Sequence, residues 1–336
     1  MQCSYACNSA DHVLSRRQWL AGSMGAMGAI GLGGLVRPAA AKELDSNQRQ
    51  VLVVYLSGGS SQLETWDPKP GTDTGGPFRA IPTSVPGTHI CELLPYTAKQ
   101  MHRLALVRSI NNRENNHGKG RYFMQTGRRE NPTTHYPSLG SVAAKMLSPV
   151  DDPLPGYIHI TPGGGGINKR DAAFLGPKYA SVTLGNGQPP QNSVRSDSLS
   201  DSADRMRNLL RQRLNHRFSQ RRRTAETEAY SYSYEQAAQL MQRRDVFYVT
   251  KEPAKDLDRY GTHDFSRHCL LARRLLENDV TCVMVSHSNY DTHFENFNYH
   301  IEQLGEFDRT FATLIEDLAD RGRLEHTMVV VMSEFD

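Results

Sequence analysis

The stretch Val280-Thr281-Cys282-Val283-Met284-Val285-Ser286 is followed further along the chain by Thr327-Met328-Val329-Val330-Val331-Met332. Both are short and almost wholly apolar, the pattern of strands covered on both faces. Between them Ile301, Leu304, Phe307, Phe311, Leu314 and Leu318 recur every three or four residues, an amphipathic helix that Arg321-Gly322 would stop. Strand, long helix, strand in this order is a βαβ unit, and its strands run parallel in one sheet. The expected fold class is therefore α/β, a mostly parallel sheet flanked by helices. Working backward, Phe265, Cys269, Ala272, Leu275 and Leu276 repeat at helical spacing. Val51 to Leu56 is a buried strand that ends in the flexible turn Ser57-Gly58-Gly59-Ser60-Ser61. A further apolar run covers Leu104 to Val107. Tyr157 to Thr161 alternates and then meets four glycines, Gly163 to Gly166. Those glycines lack the Lys-Ser/Thr ending of a phosphate loop, so the reading is loop flexibility.

The chain has 336 residues, 38% hydrophobic and 22% charged, with a formal net charge of +3. That composition suits a folded globular protein and does not call for a polyanionic partner. No apolar run approaches the roughly 20 residues of a membrane-crossing helix. The first 41 residues read as an export signal. Arg16-Arg17 precedes an apolar, glycine-rich stretch from Ala21 to Val36, and Ala39-Ala40-Ala41 supplies the small residues of a cleavage site. The weakly hydrophobic stretch behind paired arginines resembles a twin-arginine signal. A periplasmic or extracellular location follows, with the twin-arginine export machinery as a partner and the folded domain over residues 42–336. Cys91, Cys269 and Cys282 then remain, spaced as neither a metal motif nor a disulfide framework, and read as small core residues. Around residues 196–261 arginines crowd a helical stretch, interleaved with Tyr230, Tyr232 and Tyr234. Glu226, Glu228 and Glu235 balance them, which favours a solvated helical insertion on the sheet edge over a nucleic-acid surface.

In open parallel sheets ligands bind beyond the carboxyl ends of the strands. That rule selects Ser57 to Gln62, Asn111 to Arg121, His287 to His293, and Ser333-Glu334. These segments hold Asp291, His293 and Glu334, with His117 and His287 close in pattern. Carboxylate and imidazole together suit a divalent metal such as zinc, calcium or manganese. Asp291 and His293 stand two apart in a loop and can both point into one cleft.

Several segments in order carry a resemblance. Gly58-Gly59-Ser60-Ser61-Gln62 precedes Thr65-Trp66-Asp67-Pro68-Lys69-Pro70-Gly71. Asn115-Asn116-His117, Thr126-Gly127-Arg128, Tyr136-Pro137-Ser138-Leu139-Gly140 and Phe174-Leu175-Gly176-Pro177 follow. Arg259-Tyr260-Gly261, Tyr290-Asp291-Thr292-His293 and Ser333-Glu334-Phe335 complete the series. From about Val51 onward the chain resembles domain-of-unknown-function family 1501, a branch similar in fold to sulfatases and alkaline phosphatases. Aligned with the sulfatase motif on Thr126-Gly127, His117 stands at the nucleophilic cysteine and Arg121 at the motif arginine. The resemblance then implies His117 as nucleophile, base or further ligand, and Arg121 as holder of an oxyanion; the plainer alternative has His117 capping the helix and Arg121 pairing on its surface. The carboxylate that such folds place after the first strand is replaced by Ser57-Gly58, and Asp67 lies farther along. The family pattern also continues past Ser333-Glu334-Phe335, so a C-terminally truncated domain is expected. The implied activity is that of an exported, metal-dependent hydrolase of phosphate or sulfate esters, its substrate a small molecule or a polysaccharide. Asp291, His293 and Glu334 would hold the metal. The rivals are a non-catalytic binding protein on the same scaffold and an inactive truncated copy.

Overall fold

The computed structural model describes residues 49–149, 154–168, 170–189, 196, 198–219, 232 and 239–335. The export-signal reading lies outside these residues. Five parallel strands build the sheet: β1 (Gln50–Leu56), β4 (Tyr157–Thr161), β6 (Ser181–Gly185), β7 (Cys282–His287) and β8 (Thr327–Ser333). Their spatial order is β6-β4-β7-β1-β8, and a short antiparallel strand, β5 (Gly166–Asn168), lies outside β6. A separate two-stranded hairpin pairs β2 (Ala80–Pro82) with β3 (His89–Cys91). The helices among the described residues are α1 (Pro95–Gln100), α2 (His117–Thr126), α3 (Leu139–Leu147), α4 (Asp201–Ser219), α5 (Ala254–Tyr260), α6 (Asp264–Glu277) and α7 (Asn296–Asp320).

Strand alternation divides the core. Leu52, Val54, Leu56, Ile158, Ile160, Val283 and Val285 face one way and pack with Leu271, Leu275, Phe307, Phe311 and Leu314 of α6 and α7. Val51, Val53, Tyr55, Tyr157, Cys282 and Met284 face the other way, against Ala143 and Ala144 of α3. All seven residues of β1 are buried, as a central parallel strand requires. The three described cysteines are free and buried, in keeping with a core role.

Four local readings change. Leu104 to Val107 forms no strand; Leu104 and Leu106 pack onto the core from an extended segment, while Val107 is exposed. Ile301 lies on the solvent side of α7, and the buried stripe enters at His300 instead. β8 is an edge strand and half-buried through Val329 to Ser333, so its valines cover only one neighbour. Of the four glycines, Gly165 answers a steric demand, while Gly163 and Gly166 adopt positive φ in open space. A Cβ on Gly165 would stand 2.7 Å from the Thr183 carbonyl, and one on Gly185 would collide with the Gly163 carbonyl. The loop crosses the end of β6 backbone against backbone, and side chains there would block it.

Within the stretch read as a helical insertion, α5 packs on α6 and α7. An ion-pair network fixes it there. Arg273 is 1% exposed and meets Glu252, Glu277 at 2.7 Å, Asp317 at 3.2 Å and Asp256 at 3.7 Å. Tyr260 donates to Asp317 at 3.0 Å. Removing one member of a buried charged network leaves the others uncompensated. Arg273→Ala is thus expected to cost about 3 kcal/mol in urea unfolding. Arg259→Ala should cost less, about 1 kcal/mol: its partners Glu316 and Asp320 are exposed, and the buried Asp317, 3.3 Å away, keeps Arg273, Arg321 and Tyr260.

Candidate functional site

The site forms where β1, β7 and β8 end and α2 begins. Asn116 caps α2, its side chain accepting from the Lys119 amide, so His117 is the first helical residue and leaves capping to its neighbour. His117 is free to face the sheet. Its Nδ1 lies 3.1 Å from Oε1 of Glu334, at the end of β8, and its Nε2 lies 3.2 Å from Oδ2 of Asp291, in the loop after β7. Asp291 Oδ1 is in turn 2.8 Å from His293 Nε2. Arg121, one turn along α2, donates to Ser57 Oγ at 2.9 Å and sits 3.7 Å from Glu334 Oε1. Four of the four residues sought for a metal or proton role, with Arg121, therefore gather at one rim.

The arrangement differs from a cage in one respect. The His117 ring stands between Glu334 on one side and Asp291 with His293 on the other. Ligand atoms of one ion lie within about 4 Å of each other, because each bond is about 2 Å long. Asp291, His293 and His117 Nε2 belong together; Glu334 stands behind the imidazole. Among the described residues no group of three or more His, Cys, Asp or Glu has the spacing of a metal site. The donors pair with one another along a line.

Glu334 is wholly buried. Its Oε1 accepts the Gly58 amide at 2.8 Å, while Oε2 has no hydrogen-bond partner. Gly58 adopts φ +122°, and a Cβ there would collide with the Asp291 backbone nitrogen, so glycine is required where β1 meets the β7 loop. Asn112 donates to the Glu334 carbonyl, and the Phe335 ring lies 4.7 Å from that of His117. Tyr55 lies beneath Arg121, its ring 5.8 Å from the guanidinium. Burial, and then the neighbouring Glu334 carboxylate, push its phenol well up, so it stays a neutral donor.

Two residues close in pattern fall elsewhere. His287 points to the opposite sheet face, where its Nε2 meets Glu306 at 3.3 Å and its Nδ1 meets the Tyr290 hydroxyl at 2.9 Å. Asp67 pairs with Lys69 at 2.7 Å and Arg108 at 3.6 Å, away from the rim; the Lys69 hydrogen bond holds its carboxyl below the usual range. Conversely, His159 on β4 and Ser286 on β7 carried no motif. Their side chains meet at 2.8 Å beside the Arg121 end of the site. Pleat parity is the signal: both sit on the Tyr55 side of strands already identified.

A family model described as a protein of unknown function, DUF1501, matches residues 48–336. No curated protein and no solved structure matches the chain. Among the described residues no helix is long and apolar enough to cross a membrane.

Burial, with the Arg121 charge adding to it, lowers the His159 pKa to about 4. An unfolded chain binds a proton at this histidine near pH 6.5, the folded one only near 4, so stability falls as pH drops through that window. His159→Phe should flatten this acid limb by about 2 kcal/mol, read from urea unfolding between pH 7 and 4. Ring-nitrogen NMR shifts should show His159 neutral at pH 5.5.

Proposed function

Since the chain belongs to the DUF1501 family of proteins of unknown function, we propose that it is an exported, divalent-metal-dependent hydrolase of phosphate or sulfate esters on an alkaline-phosphatase-like scaffold. The observation that carries this reading is the His117 imidazole set between Glu334 and Asp291, with Arg121 alongside. A histidine whose one nitrogen meets a buried carboxylate is fixed in tautomer and direction, which is how metal-binding imidazoles are oriented. In the tautomer that donates from Nδ1 to Glu334, Nε2 would keep its lone pair for a metal beside Asp291. His117 Nε2, Asp291 and His293 would hold the ion; mixed nitrogen and oxygen donors suit zinc or manganese better than calcium. A metal bound there would polarise an ester oxygen or lower the pKa of a water. Arg121 keeps one nitrogen on Ser57 and presents the rest of its guanidinium, which is half-exposed, to an anionic group. The unpartnered Glu334 Oε2 is consistent with a polar site built for more than its own side chains.

A second reading, a non-catalytic anion-binding protein, draws support from the first-strand end, where Ser57-Gly58 offers a hydroxyl and an amide but no carboxylate.

Elemental analysis of the purified protein should find zinc or manganese, and titration after chelation should restore about one ion per chain. Asp291→Ala with His293→Ala should abolish that binding without unfolding the chain, since both side chains are exposed. Hydrolysis of generic phosphate and sulfate monoesters should require the metal and fall by about 10²–10³ in His117→Ala. Metal-independent turnover would sink the mechanism, and tight anion binding with no turnover would favour the second reading.

Export supplies a separate test. The amino terminus of protein recovered outside the cytoplasm should begin just after Ala41. Paired substitution of Arg16 and Arg17 by Lys should strand the precursor inside; unchanged secretion would overturn the twin-arginine reading.

A further inference from the structure

Parallel strands flanked by helices are apolar on both faces, and the α3 side of this sheet obeys that rule only over its first half. Val51, Val53, Cys282, Met284 and Tyr157 are apolar or aromatic and lie under α3. Toward the carboxyl ends the same face turns polar: Ser57 just past β1, Ser286 on β7, His159 and Thr161 on β4, Thr183 on β6. The register sets these side by side, with Tyr55 opposite Ser286 and His159 opposite Thr183. Ser286 is buried, but His159, Thr161 and Thr183 keep partial access to solvent. Neither α2 nor α3 closes over them. Gln125 of α2 reaches only as far as Met284, at 3.9 Å.

We propose that Ser286, His159, Thr161 and Thr183 form a subsite, opening beside Arg121, for the hydroxyl-bearing sugar portion of an anionic ester, so that the substrate class is a sugar phosphate or sugar sulfate. This rests on Arg121 as the holder of the anionic group. The chemistry of the bay is that of hydroxyl recognition. Among the described residues it holds three hydroxyls and an imidazole and no carboxylate or ammonium, so it offers neutral donors and acceptors in place of a counter-charge. His159 is neutral there, with Nε2 on Ser286 Oγ at 2.8 Å. Thr161 turns its hydroxyl to the Pro162 carbonyl at 3.3 Å, and the Thr183 hydroxyl has no hydrogen-bond partner among the described residues. The glycine loop crosses at the end of β6 and borders the bay without placing a side chain into it. The Arg121 charge stands at its edge, and its field reaches His159. A ligand with one tetrahedral anion and several hydroxyls matches both parts. A bare anion uses only the first.

Isothermal titration of the full chain with inorganic phosphate, inorganic sulfate, neutral methyl glycosides, and a panel of hexose and pentose monophosphates and monosulfates tests this. At least one sugar ester should bind about tenfold tighter than the matching inorganic anion, the gain expected of two or three neutral hydrogen bonds. Thr183→Val, nearly isosteric, and Ser286→Ala should each cut that advantage severalfold while leaving inorganic anion affinity unchanged. Sugar esters no tighter than bare anions, or an advantage that survives in both variants, would overturn the proposal. Failure of the anion role reads differently: inorganic anions would not bind, yet methyl glycosides would, and would lose affinity in Thr183→Val, sustaining the bay alone.

Discussion

The buried carboxylate of Glu334 is the constraint on which the rim depends. Taking a carboxylate out of water costs several kcal/mol unless charge and hydrogen bonds replace the solvent. Here the replacements come from three directions at once: the Gly58 amide at the end of β1, His117 at the start of α2, and Arg121 one turn further on. Each supplies one interaction, and each is thereby fixed relative to an edge strand that would otherwise be held on one side only. Ser333 strengthens the same seam, donating to the Leu56 carbonyl at 2.7 Å and accepting the Ser60 amide at 3.0 Å. Gly58 then passes the constraint to the β7 loop, because the two backbones touch where a side chain would stand. A charge buried at one point thus sets the position of Asp291 in the loop after another strand.

How much of this could be read beforehand follows from the kind of signal each part leaves. The strands β1, β7 and β8 and the helices α6 and α7 announce themselves through apolar runs and 3.6-residue spacing, since burial imposes those patterns directly. Asp291, His293 and Glu334 follow from a topological rule about strand ends, whereas His117 and Arg121, behind an expected strand that does not form, come from the family resemblance. Their order within the rim does not follow, because it depends on which face of α2 turns toward β8, and no local pattern records that. Leu104 to Val107 shows the opposite limit: an apolar run reports burial but not hydrogen-bond pairing, and the segment packs without joining the sheet. The four glycines likewise mark a backbone crossing whose partner, Gly185, lies far away in sequence.

Adjacent residues on one strand serve different sides of the molecule. Ser286 faces α2 and pairs with His159, whereas His287 faces α7, stacks on Phe265 at 4.3 Å and meets Glu306. Glu306 responds to that hydrogen bond, its carboxyl held below the usual range chiefly by His287. The Tyr290 hydroxyl completes the chain on His287 Nδ1. Tyr290 immediately precedes Asp291, so the second polar cluster is a support for the loop carrying the rim carboxylate. It acts through position, since its own groups lie on the opposite face.

The charges at the rim bear on what it binds. With neutral imidazoles, Asp291 and Glu334 outnumber Arg121, and the rim carries a net negative charge that opposes a phosphate or sulfate ester. Glu334 also shares Arg121, at 3.7 Å, so part of the guanidinium is already engaged. An anion at this rim would meet both Arg121 and the two carboxylates. On the proposed reading, a divalent ion beside Asp291 and His293 would offset those carboxylates. The two carboxylates that oppose an ester by themselves would, on that proposal, serve the metal, and the ester would be held by the metal and Arg121 together. Metal and anion would then bind cooperatively, and the neutral bay proposed beyond Arg121 would add selectivity without disturbing that balance.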